Sequence, residues 1–165
     1  KKFINFYDRR FVFVDTGYNL RATELQASIG LIQLKKLNKF VNKRVSNAKW
    51  LMRNLKDQIG HNVRFQETQT NGKHSYFGFI IILRENCKLK VPQIRKMLSK
   101  NNVESRPIIC GDICKQPAFK YIKHRTGNNK VARYIMDRAF SVGIHQNLIR
   151  KDLIKIQKTL IKILK

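Results

Sequence analysis

Residues 17–30 read GYNLRATELQASIG and gather the polar side chains whose types and spacing most suggest a task. Gly17, Tyr18, Asn19 and Arg21 look like a turn, and Thr23 opens a helix. On residue types alone, an Asn in a turn can simply satisfy its own backbone. Arg21 stands three residues before Glu24, the spacing of an ion pair on a helix surface. Elsewhere the chemistry-bearing residues are scattered. Cys110 and Cys114 are spaced C-x3-C with no second pair to complete a zinc site, so no metal is expected. His61, His74, His124 and His145 lack metal-ligand spacing. There is no Gly-rich phosphate loop, no HExxH and no GxSxG. Carboxylates are few and unpaired, which gives no acid/base constellation.

The elements that must position these residues follow from periodicity. RFVFV at 10–14 alternates as a short extended segment, and a turn follows at 15–17. Thr23 is a good N-cap, with Gln26 as its capping-box partner and Glu24 suited to the helix dipole. Apolar residues then recur at Leu25, Ile29, Ile32, Leu37, Phe40, Val41, Ala48, Leu51 and Leu55, which predicts a helix to about residue 57 with a bend near 33–37. Ala27, Ser28 and Gly30 would let another helix or chain approach closely.

Residues 61–73 read as a loop with an Asn71–Gly72 turn, and SYFGFIIIL at 75–83 as a central strand. Pro92 opens a helix over 91–102 with Ile94, Met97 and Leu98 on one face. VESRPII at 103–109 reads as a second strand, at an edge because of Pro107. A loop over 110–128, a short helix over 129–138, a short strand over 140–144 and a helix over 150–164 complete the chain. The last helix turns Leu153, Ile156, Leu160, Ile161 and Leu164 inward. The order is that of a small α/β layer domain preceded by a long helix.

Composition bounds the function classes. The 165 residues suit about one domain, with a globular apolar share of 42% and no apolar run long enough to span a bilayer. The basic N-terminus is interrupted by polar residues and is not expected to be a signal peptide. Three cysteines, an odd count, point to a reducing cytoplasmic setting. The net charge of +25 suggests nucleic acid. However, residues 1–60 carry +9 and 61–165 carry +16, an even spread without a basic block. That distribution reads as a general solvated surface, compatible with an anionic substrate.

The segment GYNLRATELQASIGLIQLKKLNKFVNKR resembles the pattern GYNxRxxExQAAIGxxQLxxLxxFxxxR of the DegT/DnrJ/EryC1/StrS family. These are pyridoxal-phosphate-dependent sugar aminotransferases, with a branch of sugar 3-dehydratases. Gly17, Tyr18, Asn19, Arg21, Glu24, Gln26, Ala27, Ile29, Gly30, Gln33, Leu34, Leu37, Phe40 and Arg44 fall on the pattern, with Ser28 in place of Ala. HSYFGFIIIL, NNVESRPIICGDICKQPAFKY and the closing helix–strand–helix are similar to later family segments in the same order. Gly143, Ile144 and His145 stand where the commoner aminotransferase members have Leu-Pro, and the RPIICGD segment and the GIHQ ending are nearer to lipopolysaccharide-type members, including the 3-dehydratases.

The resemblance implies the C-terminal part of an α/β, aspartate-aminotransferase-like (type I) fold. Residues 1–22 would close the large domain, 23–58 form a long linking helix, and 59–165 form the small domain. It implies that the Schiff-base residue lies upstream, so no catalytic residue is expected in this chain. It implies pyridoxal phosphate as cofactor, a homodimer, and Asn19 reaching the cofactor phosphate of the other subunit. An amide NH2 donates well to a phosphate oxygen, and a capped helix holds the turn. Arg21 would add charge at the same anion. Arg106 would bind the diphosphate of a nucleotide-linked keto-deoxy-sugar, and His145 would contact the sugar. Glutamate would be the amino donor in the transaminase version. The alternatives are an inactive truncated remnant and a basic nucleic-acid-binding domain. Neither a nucleic-acid nor a membrane partner is expected.

Overall fold

The structure, a computed structural model, describes residues 12, 15, 17, 19 and 23–165. Of the extended segment expected over 10–14, only Val12 is among them, and Arg21 also lies outside the described residues.

A long helix, α1 (Glu24–Ile59), leads into strand β1 (Val63–Phe65) and strand β2 (Gly78–Leu83). Helix α2 (Val91–Lys100), strand β3 (Ser105–Pro107) and two single 3-10 turns follow. Helix α3 (Lys130–Arg138), strand β4 (Ala139–Gly143) and helix α4 (Arg150–Leu164) complete the order. The strands form one antiparallel sheet in the order β1-β2-β4-β3. Thus β2 is central and the Pro107 strand is an edge, as the sequence predicts.

The core lies on one face of this sheet. Alternate residues Phe79, Ile81 and Leu83 of β2 and Phe140 and Val142 of β4 are buried, and Ile144 continues the series. Above them pack Ala48, Leu51, Leu55 and Ile59 of α1, Val91, Ile94 and Leu98 of α2, and Leu153, Ile156, Leu160 and Leu164 of α4. The helix residues recur every three or four positions, so one stripe of each helix faces the sheet. Burying each large side chain contributes about 1.5–3 kcal/mol. Polar ties fix the layers. Asn62 Nδ2 donates to the Leu164 carbonyl (2.9 Å), and Gln157 Nε2 donates to the Asn54 carbonyl (3.3 Å). Arg150 stacks on half-buried Trp50 with its guanidinium carbon 4.0 Å from the ring centre.

Helix α1 differs from expectation along its first half. It forms one continuous helix, yet Leu25, Ile29, Leu31, Ile32, Leu34 and Leu37 are 45–78% exposed. The periodicity was sufficient to set the helix, but nothing among the described residues packs on that half. The small residues there are free on one side, and a Cβ on Gly30 would meet no atom within 4 Å.

Three smaller corrections have local causes. The loop expected over 61–73 contains β1, in which Val63 is buried and Phe65 packs on Phe79 at 5.5 Å between ring centres. Three alternating residues are too few to stand out as a strand in sequence. Strand β2 begins at Gly78, three residues later than expected, because Tyr76 adopts a φ of 50°. Met97 is 39% exposed, since Val91, Ile94 and Leu98 already fill the inward face of α2. Among the described residues, no helix is long and apolar enough to cross a membrane.

Candidate functional site

Asn19 is exposed, with a φ of 49°. Asn tolerates this left-handed conformation better than most L-residues. The helix start beyond it is fixed as the sequence predicts: the Thr23 N–H donates to Gln26 Oε1 at 2.9 Å. A phosphate needs donors, and the exposed Asn19 amide fits as one of them.

Arg106 lies on the edge strand β3, in register with Ser141 of β4 and through it with Ile80 of β2. These positions alternate with the core series Phe79, Ile81, Phe140 and Val142, so Arg106 belongs to the sheet face opposite the main core. Its Nε and Nη2 both lie 3.0 Å from Glu104 Oε1, with the two side chains 52% and 67% exposed. An ion pair this open is worth at most about 1 kcal/mol and is readily exchanged for another anion.

His145 follows β4. The chain there is held to α1, because buried Asn47 donates from Nδ2 to the His145 carbonyl at 3.2 Å. The exposed ring accepts the Asn147 N–H at Nδ1 (3.2 Å), which leaves Nε2–H of the neutral imidazole as a donor. Ser105 pairs with Val142, so β3 lies beside β4, and Arg106 stands opposite Ser141, four residues before His145. No hydrogen bond joins Asn19 to either among the described residues.

Sequence reasoning missed the cluster that shapes the neighbouring loop. Asp112 is only 1% exposed and accepts from Arg133 Nε (2.9 Å), Asn129 Nδ2 (3.0 Å) and the Cys114 N–H (3.2 Å). It ties the loop after β3 to the start of α3. Buried Gln116 adds a bond from Nε2 to the Cys110 carbonyl at 3.3 Å. The available signal was that Asp112 is the lone acid between Glu104 and Asp137.

The Arg133 hydrogen bond, helped by the Cys114 N–H and the Arg133 charge, holds the Asp112 carboxyl below its ordinary range against the opposing effect of burial. A carboxylate with a lowered folded pKa adds stability that is complete above its unfolded value, about 4, and lost as pH falls through the folded value. Asp112→Asn is therefore expected to lower the urea midpoint at pH 7. The gap from wild type should narrow as pH falls from 4 toward 2. Equal gaps at both pH values would remove the carboxylate's role.

The DegT/DnrJ/EryC1/StrS aminotransferase family profile matches residues 3–161. GDP-4-keto-6-deoxy-D-mannose 3-dehydratase of Escherichia coli O55:H7 is 34% identical over 142 residues, covering 85% of this chain and 36% of that protein. The lipopolysaccharide biosynthesis protein RfbH of Salmonella typhimurium is 30% identical over 148 residues, covering 89% and 34%. A solved E. coli GDP-4-keto-6-deoxy-D-mannose-3-dehydratase with bound hydrated PLP superposes with a TM-score of 0.69 at 31% identity, covering 94% of this chain and 39% of that one. The chain thus spans a little over a third of the length of the relatives it matches. The expected fold, a long helix leading into a small α/β layer, is the one these structures share.

Proposed function

Because this chain belongs to the DegT/DnrJ/EryC1/StrS aminotransferase family, we propose that it is the C-terminal portion of a pyridoxal-phosphate-dependent enzyme acting on a nucleotide-linked keto-deoxy-sugar. The observation that carries this reading is the GYN turn and its capped helix, in a chain 34% identical to a sugar 3-dehydratase. The Gly143–Ile144–His145 ending favours the 3-dehydratase branch over the transaminase branch, in which glutamate would give the amino group.

In this reading residues 1–22 close the large domain, 23–58 link it, and 59–165 form the small domain. The exposed apolar half of α1 supports the division, since it offers a surface for the remainder of the enzyme and for a partner subunit in a cytoplasmic homodimer. Asn19 donates its amide to the cofactor phosphate across the dimer, and Arg21 adds positive charge there. Arg106 exchanges Glu104 for the substrate diphosphate, which its planar fork can grip bidentately. His145 donates from Nε2 to a sugar oxygen. The cofactor, when bound, supplies the electron sink for chemistry at the sugar.

The test is cofactor retention by the full-length protein. Asn19→Ala removes one hydrogen bond to a charged oxygen and is expected to weaken pyridoxal phosphate binding by about 10–100-fold. Absorbance of the cofactor retained after gel filtration measures it. Retention equal to wild type would sink the phosphate role of Asn19.

A further inference from the structure

Tyr76 has a φ of 50°, a left-handed conformation that is a strained outlier for an aromatic L-residue. Its surroundings hold it there. The Tyr76 N–H donates to His74 Nδ1 at 2.8 Å, and the two rings lie 4.2 Å apart. The Tyr76 side chain is buried, with its hydroxyl 3.4 Å from that of Thr68.

The kink changes which side chain is buried. Phe79, Ile81 and Leu83 face the core at alternate positions, and a straight strand would send Phe77 to the same side. Instead Tyr76 is buried and Phe77 is 81% exposed. The kink that buries Tyr76 in the core therefore also turns Phe77 out to solvent.

Its place is informative. Gly78 pairs with Gly143, so Phe77 leaves the sheet at the end where β4 runs on to His145. Strand β3 begins at this end too, since Ser105 pairs with Val142. Strand β4 alone separates β2 from β3, and Arg106 is level with Ile80, so it stands two strand spacings across and three residues along from Phe77, about 14 Å between backbones. A Cβ on Gly143 would meet no atom within 4 Å, which leaves open space over the end of β4.

We propose that Phe77 is a substrate-contacting residue whose ring packs on the sugar of the nucleotide-linked keto-deoxy-sugar. This rests on the function proposed above. A sugar is bonded directly to its diphosphate, so the groups that recognise the two must reach one ligand, and side chains whose backbones stand about 14 Å apart can do so from its two sides. A deoxy-sugar also presents C–H groups where other sugars carry hydroxyls, and that apolar face suits a phenyl ring.

The test titrates the full-length protein with a GDP-linked 6-deoxyhexose and, separately, with GDP alone. Phe77→Ala is expected to weaken binding of the sugar nucleotide about tenfold. It should leave GDP binding and the melting temperature unchanged, and Phe77→Tyr should restore wild-type affinity. Unchanged sugar-nucleotide affinity in Phe77→Ala would overturn the proposal. Equal losses for both ligands would overturn it too, by placing the ring on the base. A lowered melting temperature would do the same, by giving Phe77 a packing role. If the wild type binds neither these ligands nor their dTDP counterparts, the nucleotide-sugar reading itself fails and takes this inference with it.

Discussion

Gly111→Ala is expected to lower the unfolding free energy by about 2–5 kcal/mol, read from urea denaturation. Two costs add. Gly111 has a φ of 68°, which strains any residue with a Cβ. A Cβ there would also lie 2.5 Å from Met136 Cγ and 2.8 Å from Met136 Cβ. The Met136 Cβ is fixed to the backbone of α3, so rotating the side chain cannot relieve the overlap and the helix or the loop must move. The loop is pinned beside it through Asp112, so that movement also disturbs the Arg133 and Asn129 contacts. Adding Met136→Ala removes the Cγ and Sδ overlaps and leaves the Cβ overlap and the φ cost. The double variant should therefore be more stable than the sum of the singles by about 1 kcal/mol or more. Strict additivity would mean the contact is not tight.

Leu51→Ala should cost about 3 kcal/mol, while Leu31→Ala on the same helix should cost roughly 0.5 kcal/mol or less in this chain. Leu51 is fully buried among Ala48, Leu55 and the residues of α4, so truncation leaves a cavity as well as losing contact. Leu31 is 66% exposed and has little to lose. Paired denaturation curves decide it. Similar losses for both variants would mean that the first half of α1 is packed.

The same helix shows where sequence reading succeeds and where it stops. Its apolar period and the Thr23–Gln26 cap are local, so helix, start and length were legible. Burial depends on what faces the stripe, which no period records, and Leu25 to Leu37 could not be told from Ala48 to Leu55. The central place of β2 and the edge place of β3 were legible because an apolar run and Pro107 have local meaning. Strand β1 was not, since Val63 and Phe65 gain their role only against Ile81, Leu83 and Phe79. For the candidate site, Asn19, Arg106 and His145 are singled out only through the resemblance, as residue types alone leave each with an ordinary reading. The kink at Tyr76 depends on His74 and Thr68 closing around it, a tertiary arrangement with no periodic trace. Asp112 likewise takes its partners from residues 17 and 21 positions away.

The most direct measurement incubates the full-length protein, loaded with pyridoxal phosphate, with a GDP-linked 4-keto-6-deoxyhexose and glutamate, and follows the sugar by mass spectrometry. The expected product has lost the C3 hydroxyl or, on the transaminase branch, carries an amine in place of the ketone. Sugar nucleotide recovered unchanged from protein that holds the cofactor would contradict it.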